Sequence, residues 1–329
     1  MTHTPSDNAV SPFQASLDWR SIPPSAAYHV PIRAHPPLKT LVLALALFLL
    51  TLCTCLAAGT QFAAAYSHNQ AVSIDEFVRS FTLFYRHPAG LLSGLPFALT
   101  LMTILLAHEL GHFFACRHHH IRASYPFFIP APTLIGTFGA FILIRSPIRT
   151  TRALFDVGAS GPLVGFVLAV PALLYGVLHA KIVPGLADPA HSDVVFGIPL
   201  ILRFFAAILH PGVNAGSLLL HPVGRAAWVG LFATSLNLLP AGQLDGGHIL
   251  RSLSPRAHRY VSLLLPLFLL GLGFFQHWPG WYIWAAILMG LRLLRAAPIY
   301  DYTPLDANRR FGALLALAVF FVCFMPAPI

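Results

Sequence analysis

The chain has 329 residues, 57% of them hydrophobic and only 9% charged, with a formal net charge of +9. Long uncharged runs near the ~20 residues that a helix needs to cross hydrocarbon exclude an ordinary soluble protein. Basic residues flanking such runs report orientation, so the positive charge points to the lipid bilayer as partner and argues against nucleic acid.

In chain order, residues 1–37 are rich in Pro, Ser, Thr and His and lack apolar periodicity. They read as a disordered cytoplasmic tail, without the basic start and short apolar core of a cleavable signal. Residues 38–329 read as one membrane-embedded domain. Its apolar runs are Leu41–Ala58, Leu91–Cys116, Val157–Val177, Val223–Leu239, Tyr260–Phe275, Trp281–Leu294 and Phe311–Phe324. The stretch Val194–Leu209 carries Arg203 and reads as re-entrant or interfacial. The expected fold is therefore an all-α polytopic membrane protein with six to eight transmembrane helices. Cys53, Cys55, Cys116 and Cys323 all sit in or beside apolar runs, which suits packing rather than a disulfide framework.

Arginines mark one side. Arg117 and Arg122 follow the second run, Arg145, Arg149 and Arg152 precede the third, and Arg251, Arg256 and Arg259 separate the fourth from the fifth. Arg292, Arg295, Arg309 and Arg310 lie between the sixth and the seventh. By the positive-inside rule these loops are cytoplasmic, as is the amino terminus, in a multi-pass protein of the cell membrane.

Within the second run stands His108-Glu109-Leu110-Gly111-His112, and Glu109 is one of only two glutamates in the chain. On a helix the i, i+4 spacing sets both imidazoles on one face with the carboxylate close by. Two histidines plus one further protein ligand make an open zinc site whose remaining position activates water, with the glutamate as general base. A carboxylate inside an apolar span costs at least ~2.5 kcal/mol on insertion scales and persists mainly where it works or is paired.

A second polar interruption closes the fourth run: Asn237-Leu-Leu-Pro240-Ala-Gly242-Gln-Leu244-Asp245-Gly246-Gly247-His248. Gly242 and Gly246 permit irregular backbone, which at membrane depth is tolerated only in a protein- or water-lined cavity. Asp245 is thus a candidate third ligand. Asn237 is equally a candidate donor to a tetrahedral intermediate and ordinary interhelical glue. His248, one turn from Asp245, reads as structural. So does the hydrated rim His118-His119-His120, since consecutive residues cannot share one helical face.

An H-E-x-x-H in an apolar run followed by N-x-x-P-x-x-x-L-D-G resembles the site-2 protease family of intramembrane zinc metalloproteases. The resemblance implies one Zn2+ per chain on His108, His112 and Asp245, with Glu109 as base, in a catalytic core of about residues 91–250. It implies cleavage in or near a transmembrane segment, with single-span membrane proteins as substrates. Near the active site, Tyr125–Pro132 and Gly136–Arg145 alternate apolar residues with three prolines and read as extended or re-entrant backbone, where the resemblance implies a short membrane-embedded β-hairpin. Lys181–Pro222 is too short for the PDZ domain that some members insert. The small residues Gly158, Ala159, Ser160, Gly161 and Gly165 read as a close-packing stripe. A divalent-metal transporter and a noncatalytic membrane scaffold are the rival functions; neither needs a glutamate between the histidines.

Overall fold

The computed structural model describes residues 38–73, 82, 86, 88–186, 194–293, 299–301 and 303–328. The expected tail, residues 1–37, and the end of the sixth run at Leu294 lie outside them.

The first helix, α1 (Leu38–His68), runs ten residues beyond the expected Ala58. Its polar residues explain the difference. Thr51, Thr60 and Ser67 donate their hydroxyls to the carbonyls of Leu47, Ala57 and Ala63 on the preceding turn, so they need no water and do not end the helix. A 3-10 turn (Pro88–Gly94) leads directly into α2 (Leu95–His118), with Pro96 in the first turn, where its missing N–H costs nothing.

Next come β1 (Phe127–Pro130) and β2 (Thr137–Phe141), an antiparallel pair with Phe127 opposite Phe141, Phe128 opposite Ala140 and Pro130 opposite Thr137. Bonds from Ser124 to Leu143 and from Arg145 to Arg122 extend the hairpin toward its base. Its turn is held by α1. Thr54 donates to the Gly136 carbonyl at 2.6 Å, Gln61 to that of Leu134 at 2.8 Å, and the Cys55 thiol lies 3.7 Å from that of Ile135. Gly136 adopts φ +81, and a Cβ there would stand 2.6 Å from the Cys55 Cα, so only glycine fits.

Helix α3 (Thr151–Leu178) is capped by Thr150, whose hydroxyl accepts from the Ala153 N–H at 3.1 Å. A second small sheet, not foreseen in the sequence, pairs β3 (Lys181–Ile182) with β4 (Leu218–Leu219). Only the last part of Val194–Leu209 is helical, as α4 (Leu200–Leu209). Then follow α5 (Pro222–Asn237), α6 (Asp245–Leu253), α7 (Pro255–Gln276), α8 (Gly280–Leu293) and α9 (Ala307–Cys323). Among the described residues, four segments are long and apolar enough to cross a membrane: Leu38–His68, Pro88–His118, Thr151–Leu178 and Pro255–Gln276. The chain is a helical membrane protein.

The core lies where α2, α3 and α5 meet, with Phe97, Leu101, Leu173, Trp228 and Leu231 essentially inaccessible. Trp281, Leu269 and Leu288 form a smaller cluster with Leu239. At one end a polar clamp ties three helices. His119 bonds the Asp156 carboxylate at 2.7 Å, and Arg309 donates to both its oxygens at 2.8 and 2.6 Å. Arg309 also pairs with Asp306. The three-histidine run is thus split: His118 and His120 are exposed, whereas His119 is half-buried and partnered.

Candidate metal centre

His108, Glu109 and His112 sit on the buried face of α2, all 5–6% exposed. Asp245 opens α6, reached from the end of α5 through a turn in which Gly242 adopts φ +60. That turn returns the chain so that one Asp245 carboxylate oxygen lies 3.3 Å from the Nε2 of His108 and 3.3 Å from the Nε2 of His112. The three donor atoms lie within 4.8 Å of one another. Ligands ~2.0–2.1 Å from zinc at tetrahedral angles stand about 3.3 Å apart, so both histidine–aspartate separations match an edge of a zinc tetrahedron. The spacing is long for a strong hydrogen bond, and it is the edge of that tetrahedron.

The imidazoles are fixed from behind. His112 Nδ1 lies 2.7 Å from the Val157 carbonyl, an acceptor only; Nδ1 therefore carries the proton and Nε2 is left as a lone-pair donor toward Asp245. Space for both rings is cut into α3. A Cβ on Gly161 would stand 2.1 Å from His112 Nε2, and one on Gly165 would stand 3.1 Å from His108 Nδ1. The packing stripe read from the sequence is real in part, because a Cβ on Gly111 would strike the Ser160 carbonyl at 2.7 Å. Its other half is a pair of sockets for the metal-facing histidines. No local signal marks them, since a socket glycine and a packing glycine look alike until the facing helix is placed.

Glu109 faces the hairpin, its carboxylate toward the Ile142 main-chain N–H, one residue beyond β2. Asn237 ends α5 with its amide nitrogen 3.3 Å from His108 Nε2, at the rim of the donor set. His248 stands outside that set with its Cβ against Gly158. All five sequence-derived site residues therefore converge from three helices. The sequence reading missed Val157, Gly161, Gly165 and Ile142, two of which act through main-chain atoms that no side-chain pattern announces.

Fold and site together define a class: a helical membrane protein whose buried centre offers two histidines, one carboxylate and a neighbouring glutamate. Comparison with known proteins agrees. The profile described as Peptidase family M50 matches residues 96–270, and the chain belongs to that family. It is 35% identical over 184 residues to "Probable zinc metalloprotease EGY1, chloroplastic" of Oryza sativa subsp. japonica, covering 55% of this chain and 32% of the relative. It is 36% identical over 161 residues to the Arabidopsis thaliana protein of the same name, covering 47% of this chain and 29% of the relative. It is 31% identical over 268 residues to "Probable zinc metalloprotease EGY2, chloroplastic" of Arabidopsis thaliana, covering 76% of this chain and 48% of the relative. The chain thus spans less than half of the length of each of these curated relatives. No solved structure matches.

Proposed function

We propose that this chain is an intramembrane zinc metalloprotease that hydrolyses a peptide bond in or near a transmembrane segment of another membrane protein. The observation that carries this reading is the placing of one Asp245 carboxylate oxygen at tetrahedral-edge spacing from the Nε2 atoms of both His108 and His112, beside a buried glutamate. His108, His112 and Asp245 hold one Zn2+. When bound, the metal supplies Lewis acidity that polarises the scissile carbonyl and activates water. Glu109 takes a proton from the attacking water and returns it to the leaving amine. Asn237, with its amide at the rim of the site, donates to the oxygen on which charge develops. The Val157 carbonyl keeps His112 in the tautomer that presents Nε2.

A helical substrate must leave its own hydrogen-bond ladder before an amide can be cut. The β1–β2 hairpin is the element suited to hold the unwound strand by strand addition, with β2 in reach of Glu109 through Ile142. A membrane-embedded place for the hairpin is supported by the way α1 satisfies its turn carbonyls, the condition for irregular backbone at membrane depth. With α5, α8 and α9 added to the four long segments, the chain crosses the bilayer within the expected six to eight spans. The arginine-rich loops and the metal-site end face the cytoplasm.

The test is cleavage of a single-span substrate in proteoliposomes by wild type and Glu109→Gln. Cleavage by wild type alone supports proteolysis. Equal metal flux through both proteins with no cleavage by either would favour transport, which has no use for Glu109.

A further inference from the structure

At the end of the bundle opposite the metal donors, Arg225 is 7% exposed in the first turn of α5. Its guanidinium lies 3.9 Å over the Phe196 ring and 5.9 Å from that of Trp228. Among the described residues it has neither a carboxylate nor a side-chain hydrogen-bond partner. A buried cation without a counter-charge is costly, and the amino end of a helix is where a cation is least favoured. Ring contacts offset part of that cost on one face, and among the described residues the guanidinium's N–H donors have no acceptor.

Arg225 lines a cavity of about 40 Å³ shared with Val72, Phe196, Gly197, Gly216 and Leu219. The wall is pinned, not loose: Trp228 Nε1 donates to the Gly197 carbonyl at 2.7 Å, and the Gly197 N–H donates to that of Pro328 at 2.7 Å. The volume exceeds the ~10–15 Å³ that one water needs and admits a group of a few heavy atoms. We propose that this cavity is an anion site, in which Arg225 binds one small oxyanion head, a carboxylate or a phosphate, by charge-assisted hydrogen bonds. Phe196 stacks the guanidinium and orients its fork toward the ligand. Along α5 the site lies about 18 Å from Asn237, so it is separate from the metal centre.

Thermal unfolding of the purified full chain tests the site, with sodium acetate, inorganic phosphate or phosphatidylglycerol nanodiscs varied at fixed ionic strength against a bulky sulfonate. Wild type rises saturably by about 3 °C or more with at least one of them, whereas Arg225→Met, nearly isosteric and uncharged, does not respond and retains its zinc. Response to acetate identifies a carboxylate source, response to phosphate a free phosphate, and response only to the nanodiscs a lipid headgroup. If Arg225→Met does not fold, protection of Arg225 in wild type from phenylglyoxal by the same anions, read by mass spectrometry, decides instead. Absence of any saturable response in wild type, an equal response in Arg225→Met, or no protection of Arg225 overturns the proposal.

Discussion

Gly161 on α3 lies directly against His112 on α2, so closely that a Cβ on the glycine would stand 2.1 Å from the imidazole Nε2. The atom that faces Asp245 is therefore in place because a side chain on the neighbouring helix is missing. Gly161→Ala forces His112 off its bond to the Val157 carbonyl. Zinc affinity should fall at least ~10-fold, the range seen when groups supporting metal ligands are lost, with proteolysis falling in step. Gly165→Ala, where the closest approach is 3.1 Å, should cost less. Chelator competition on both variants measures the order, and equal affinities would remove the socket role.

Asn237 separates two functions that its sequence position leaves open. As a donor to developing charge, its loss in Asn237→Ala should lower kcat by about 10²-fold while zinc content stays near wild type. As interhelical glue it would instead lower the unfolding temperature with kcat little changed. Single-turnover cleavage and thermal melts on one preparation distinguish these results.

The Asp156 clamp carries stability. Arg309 and Asp156 are about a quarter exposed and doubly bonded, with His119 as a third partner. Arg309→Met removes the cation that grips both carboxylate oxygens and should cost about 2 kcal/mol, between an exposed pair and a fully buried one. Arg309→Lys recovers part of this, since an ammonium keeps the charge but loses the fork. Thermal unfolding of the two variants in detergent reads the difference.

The hairpin turn depends on α1. Gln61→Leu leaves the Leu134 carbonyl without its 2.8 Å donor in a buried setting, and should destabilise by about 1–3 kcal/mol. Because the hairpin adjoins Glu109 through Ile142, substrate KM should rise with zinc content unchanged. Cleavage kinetics and metal analysis together check this outcome.

The sequence made the chemistry easy to read because charge is rare in it. Glu109 and Asp245 stand out against apolar neighbours, and the spacing of His108 and His112 is a local, helical fact. Element ends were harder. The α1 helix ran past Ala58 because Thr60 and Ser67 satisfy themselves within the helix, and the sequence does not show where a hydroxyl donates. The Val157 carbonyl, the Gly161 and Gly165 sockets and the Ile142 N–H were hidden for another reason. Each works through main-chain atoms or an absent side chain, and becomes visible only when α2, α3 and the hairpin are packed together.

Zinc stoichiometry and cleavage of a single-span substrate, measured together on purified wild type, Glu109→Gln and Asp245→Ala, test the central claim most directly. About one zinc in wild type and Glu109→Gln, less in Asp245→Ala, and cleavage by wild type alone is the predicted pattern. Full zinc in Asp245→Ala, or cleavage by Glu109→Gln, would contradict it.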